Sequence, residues 1–93
     1  MINCVILCPT YRESLTLRQV LIRQHIGWVS PFFEGDIKDN VDWKRCWDRY
    51  KSKTVYIIKA GILYINSIDH IKMYTSIYNK YKQLTVEEYV ENN

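Results

Sequence analysis

The sequence is short of the residues that break or loosen a fold: it has three glycines, two prolines and a single alanine. No apolar run approaches the roughly 20 residues of a membrane span. The start, Met1-Ile-Asn-Cys4, lacks the basic segment, apolar stretch and cleavage site of a secretory signal. Also missing are a P-loop, a Gly-rich phosphate cradle, a Ser-His-Asp order and any CxxC or HxxxH spacing. These absences exclude the motif-defined nucleotide hydrolases, triad hydrolases and common zinc sites, so no metal is expected. Thirteen basic against ten acidic side chains leave +3, too mild a balance to call for a nucleic-acid partner. What remains is 47% hydrophobic and 25% charged, a composition that folds. Ninety-three residues make one domain around one core, here residues 1–93, and the expected location is cytoplasmic. Abundant Ile, Tyr, Lys and Asn beside scarce Ala, Pro and Gly fit an A/T-rich genome, such as that of a virus.

Three cysteines, Cys4, Cys8 and Cys46, make an odd set. In an extended strand Cys4 and Cys8 would lie about 13 Å apart, beyond disulfide reach. A reducing compartment follows.

Ile2 to Leu7 is a short β-branched run closed by Pro9, which suits a buried strand. Thr10 caps a helix from Tyr11 to about His25, stopped by Gly27. Trp28 to Glu34 makes a strand that Pro31 sends to a sheet edge, and Gly35 to Asn40 reads as a loop. Asp39 or Asn40 caps a short helix with Trp43, Cys46, Trp47 and Tyr50 on one face. Thr54–Ile58 and Ile62–Ile65, separated by Lys59-Ala-Gly61, form a hairpin. Ser67 then caps a helix striped by Ile68, Ile71, Tyr74, Tyr78 and Tyr81. Thr85-Val-Glu-Glu88 is a capping box opening a last short helix. The order is β-α-β-α-β-β-α plus a C-terminal helix, an α/β fold with a mixed four-stranded sheet flanked by helices. Burial places the first strand inside, parallel to the Trp28–Glu34 strand on one side and beside Thr54–Ile58 on the other, with Ile62–Ile65 at the far edge.

This order and two local motifs resemble the glutaredoxins, of the thioredoxin fold. Cys8-Pro9-Thr10-Tyr11 sits where that family carries C-P-Y-C, after the first strand and opening the first helix. Thr54-Val55-Tyr56, a strand, a turn, a strand and Ile65-Asn66-Ser67-Ile68-Asp69-His70-Ile71 follow the family's T-V-P and I-G-G-x-D-D-L at the same spacing. The resemblance implies Cys8 as the reacting thiol, glutathione as co-substrate, and Tyr11, Arg12, Val55, Tyr56 and Asp69 as its substrate-binding surroundings. It also implies that Tyr56 faces Cys8 and that Tyr56→Pro is tolerated. Departures stand beside it. Tyr11 replaces the resolving cysteine, Tyr56 replaces the family's cis-proline, and Asn66-Ser67 replaces the glycine pair.

Two functions follow. The first is monothiol thiol–disulfide exchange with glutathione, in which Cys8 at a helix N-terminus is held as thiolate. The alternative is a catalytically inactive thioredoxin-fold module, such as a small viral or phage protein, that binds or inhibits a host protein through an aromatic surface around Trp28, Phe32 and Phe33. Each candidate also has a plain structural role. Cys8 suits a buried strand end, Tyr11 an anchor on the sheet, and Asp69 a helix's first turn, while Cys4 and Cys46 suit core packing.

Overall fold

A computed structural model describes residues 3–29, 34–36, 43–73 and 79–92 of the chain. In chain order the elements are β1 (Cys4–Leu7), α1 (Tyr11–Arg23), β2 (Gly27–Val29), β3 (Glu34–Asp36), α2 (Trp43–Tyr50), a 3₁₀ turn (Lys51–Lys53), β4 (Thr54–Lys59), β5 (Ile62–Ser67), α3 (Ile68–Met73), β6 (Lys82–Thr85) and α4 (Val86–Glu91). The α/β class and the mixed sheet hold. The strands stand in the order β3-β2-β5-β4-β1-β6.

The centre of this sheet follows from alternation. In β1, Cys4 and Ile6 face one side and Val5 and Leu7 the other; in β4, Tyr56 and Ile58 oppose Val55 and Ile57. Such runs must be covered twice. The larger core lies under α1, α2 and α4, with Leu17, Leu21, Trp43, Leu63, Leu84 and Tyr89 packed on Ile6 and Tyr56. The smaller core joins Val5, Val55, Ile57 and Ile71, so α3 covers the other face.

The caps lie where the sequence places them. Thr10 Oγ1 accepts from the Glu13 N–H at 3.2 Å. Ser67 Oγ accepts from the His70 N–H at 3.1 Å. Thr85 and Glu88 close a reciprocal capping box. The hairpin turn has Ala60 and Gly61 both at positive φ, 52° and 75°, as a two-residue primed turn requires.

Other expectations need correction. The first strand pairs with β4 as expected, antiparallel with Ile6 opposite Tyr56, but its second neighbour is β6, with Ile6 opposite Leu84 in parallel. The Trp28–Glu34 run is split into β2 and β3, which pair with each other. Strand β2 keeps the direction of β1 but lies beyond the hairpin, against β5, so β5 is interior rather than an edge. The 13-residue α1 is about 20 Å long, enough to carry the chain over the roughly 14 Å from β1 to β2. The stretch read as a loop begins inside β3, at Gly35 and Asp36. Pro31, Phe32, Phe33, Asp39, Asn40, Tyr74 and Tyr78 lie outside the described residues.

Of the tyrosine stripe, Tyr81 lies outside the helix: Asn79 and Lys80 are helical, but Tyr81 stands at a bend and Lys82–Thr85 is strand. Gly27 opens β2 instead of stopping α1. His25 takes the left-handed position, φ 55°, with Ile26 N–H bonded to Leu21 O and His25 N–H to Ile22 O, the paired bonds of a Schellman motif. Tyr56 lies mid-strand with Ile6 on one side and Ile65 on the other, and no described peptide bond is cis. Its N–H is therefore a ladder donor, and Tyr56→Pro is expected to unfold the chain rather than be tolerated.

Two stability outcomes test this architecture by denaturant unfolding. Leu84→Ala empties a core position that exists only if β6 docks beside β1, and it should cost about 2–4 kcal/mol. His25→Gly relieves the left-handed strain and should stabilise by about 0.5–1 kcal/mol.

Candidate functional site

The motif at the end of β1 is built as a closed plug. Cys8 N–H donates to Thr54 O at 3.0 Å, which extends the β1–β4 ladder by one step. Trp47, on α2, donates its Nε1–H to Cys8 O at 3.1 Å, and Thr54 Oγ1 donates to Trp47 O at 3.2 Å. These three bonds hold α2 over the strand ends. The Tyr11 ring lies 5.7 Å from that of Trp47 at 54°, and Lys44 Nζ sits 5.2 Å from the Tyr11 ring centroid. Beneath them Trp43 stacks flat on Tyr56, 5.1 Å between centroids at 3°.

Cys8 lies under this cover with 0% of its surface exposed. Its Sγ meets Thr10 O at 3.5 Å. Burial, with the Glu13 carboxylate adding to it, pushes the thiol up from 9.0 to about 12, although the contact with Trp47 pulls the other way. Loss of water is the largest of these influences and favours the protonated thiol at neutral pH. Cys4 is likewise buried and pushed up to about 11 by desolvation. Cys46 is buried and in no disulfide.

The residues that the resemblance groups around Cys8 are divided by the sheet. Tyr56 is beside Cys8 as expected, fully buried in the larger core with its own ionisation pushed up by burial. Its hydroxyl ends beside Ser14 without a well-formed hydrogen bond. Tyr11 is half-buried and Arg12 exposed at the start of α1. Val55, in contrast, points into the smaller core and is fully buried. Asp69 is exposed on α3, where Lys53 Nζ lies 2.5 Å from its carboxylate and holds its ionisation low. Neither Val55 nor Asp69 shares a surface with Cys8.

One feature escapes motif reading altogether. On the α3 side, a cleft of about 420 Å³ opens between β4, β5 and α3. Its residues come from four stretches, β4, β5, α3 and the bend before β6, so only the register of the hairpin would reveal it. Among the described residues no group of three or more His, Cys, Asp or Glu is placed to hold a metal, and no helix is long and apolar enough to cross a membrane. Compared with protein-family models, curated proteins and solved structures, the chain matches none.

The buried thiols make stability fall with alkali. Cys8 ionises near 9 in the unfolded chain but at about 12 when folded, so between those values the unfolded state holds fewer protons and stability declines as pH rises. Denaturant titrations from pH 8 to 11 should show this loss. Cys8→Ala should flatten the slope by up to about 1.4 kcal/mol per pH unit.

Proposed function

We propose that the chain is a catalytically silent α/β binding module rather than a thiol–disulfide exchanger. The observation that carries this reading is the burial of Cys8 beneath Trp47 and Tyr11. Exchange begins with a thiolate reaching a disulfide sulfur in line, and a protonated thiol with no exposed surface offers neither charge nor approach. The glutathione contacts implied by the resemblance are also dispersed, since Val55 is core and Asp69 is paired with Lys53. The thioredoxin-like reading of the fold rests on the β1–β4–β5 order followed by α3, and the crossover to β2 and the added β6 weigh against carrying it further. The aromatic patch expected around Trp28, Phe32 and Phe33 falls where no side chain is described, so it lends this reading no support.

Glutathione-dependent monothiol exchange stands as the second reading because Cys8 immediately precedes Pro9 at the head of α1 with Tyr56 alongside. In that reading the Cys8 thiolate attacks the glutathionyl sulfur of a mixed disulfide and expels the substrate thiolate. A second glutathione thiolate then attacks the Cys8-bound glutathione, leaving oxidised glutathione and free Cys8.

Alkylation of the folded protein between pH 6 and 9, mapped by mass spectrometry, separates the two. The binding-module reading expects Cys4, Cys8 and Cys46 to label only at the rate of unfolding. Trp47→Ala should then expose Cys8 selectively and raise its labelling at least tenfold over Cys4. Rapid labelling of Cys8 alone in the parent protein near neutral pH would sink the binding-module reading.

A further inference from the structure

The cleft on the α3 side of the sheet is built from paired positions. Tyr64 lies opposite Ile57 and Asn66 opposite Val55, while Lys59 lies opposite Ile62. Period-2 alternation therefore puts Ile57, Lys59, Tyr64 and Asn66 on one face. Ile71 and His70 of α3 and Tyr81 before β6 complete the lining. At about 420 Å³ it is in the range of small-molecule sites.

The chemistry of the lining narrows the ligand. Ile57 and Ile71 are buried and give an apolar floor, whereas the Tyr64 ring stays 37% exposed, unusual for an aromatic residue in the interior of a sheet. The half-buried Tyr81 supplies a second ring. Asn66 Oδ1 accepts from the Ser67 N–H at 2.8 Å, which fixes the amide and leaves its NH₂ to donate. The Ser67 cap on His70 N–H sets the first turn of α3, whose His70 borders the cleft. Lys59 adds an exposed ammonium. Among the described residues no carboxylate lines the site, and the acid nearest in sequence to His70, Asp69, is engaged by Lys53. A cation would therefore find no counter-charge here. A purely apolar ligand would cover the half-buried amide without a partner for it, and an acyclic anion would leave both rings unused. A flat, acceptor-rich ring carrying a phosphate matches the two rings, the amide and the ammonium together.

We propose that this cleft binds a nucleoside monophosphate unit, its base stacked on Tyr64 and Tyr81 and its phosphate met by Lys59, with Asn66 donating to the base or ribose. The inference gives the binding-module reading a ligand class and uses none of the residues around Cys8. The same unit occurs as a free nucleotide or within an RNA strand, and the two sources present one chemistry to the cleft.

The test is a titration of the full chain, followed by amide NMR shifts, with AMP, adenosine, inorganic phosphate and a hexaribonucleotide. AMP is expected to saturate one site and move Lys59, Tyr64, Asn66, His70 and Ile71 while leaving Cys8 and Tyr11 in place. Tyr64→Ala should weaken AMP about tenfold through loss of stacking. Lys59→Gln should weaken AMP several-fold and adenosine by less than twofold, the signature of a phosphate contact. Both side chains are exposed, so both variants should fold. A hexamer that binds more than about six times as tightly as AMP assigns the unit to RNA, and equal affinity per nucleotide assigns it to a free nucleotide. Absence of saturable shifts in the cleft up to about 10 mM AMP, weaker than any specific small-ligand site, overturns the proposal. Identical shifts with inorganic phosphate alone also overturn it. Either result leaves the thiol labelling untouched, so failure here is distinguishable from failure of the binding-module reading.

Discussion

The antiparallel pairing of β1 with β4 is the constraint on which the rest of this structure depends. Its register, Cys4 with Ile58 through Leu7 with Val55, sends alternate side chains of two central strands into two cores at once. A one-residue slip would exchange Ile6 and Tyr56 for Val5 and Val55 and mismatch both helical layers. The same pairing brings Cys8 N–H to Thr54 O, and through Thr54 and Trp47 it positions α2. The closed state of Cys8 is thus a consequence of sheet register and not a separate feature.

Placing α2 there has a chemical result. A thiol at the start of a helix gains from the dipole only if its ionised form keeps water or donors around it. Here Trp47 spends its indole N–H on the Cys8 carbonyl, and Trp43 and Tyr56 stack behind the thiol. Desolvation dominates, and the motif becomes part of the core.

Local signals in the sequence carried much of this. Caps at Thr10, Ser67 and Thr85 and the hairpin around Ala60-Gly61 are written in two to four adjacent residues, and each is where such a reading puts it. Strand β6 was hidden because Lys82-Gln-Leu-Thr85 buries only Leu84 and so shows no apolar alternation. The neighbour of β1 was hidden because crossover length, not local pattern, decides how many strands α1 passes over. At the candidate site the place of Cys8 beside Tyr56 was legible from motif spacing. Its burial was not, since that depends on Trp47, 39 positions away. The α3-side cleft needs the β4–β5 register as well, which no short window contains.

The placement of β1 also bears on how the chain is made. Its two edges wait for partners that emerge later: Cys4 pairs with Ile58 and with Lys82, 78 positions on. At about 5–20 residues per second of synthesis, the second edge stays open for roughly 4–16 s. Throughout that time an apolar strand with no charge on either face has no cover for its β6 edge. Strand β1 is consequently exposed to intermolecular pairing during translation, and a chain truncated before β6 would carry that hazard permanently.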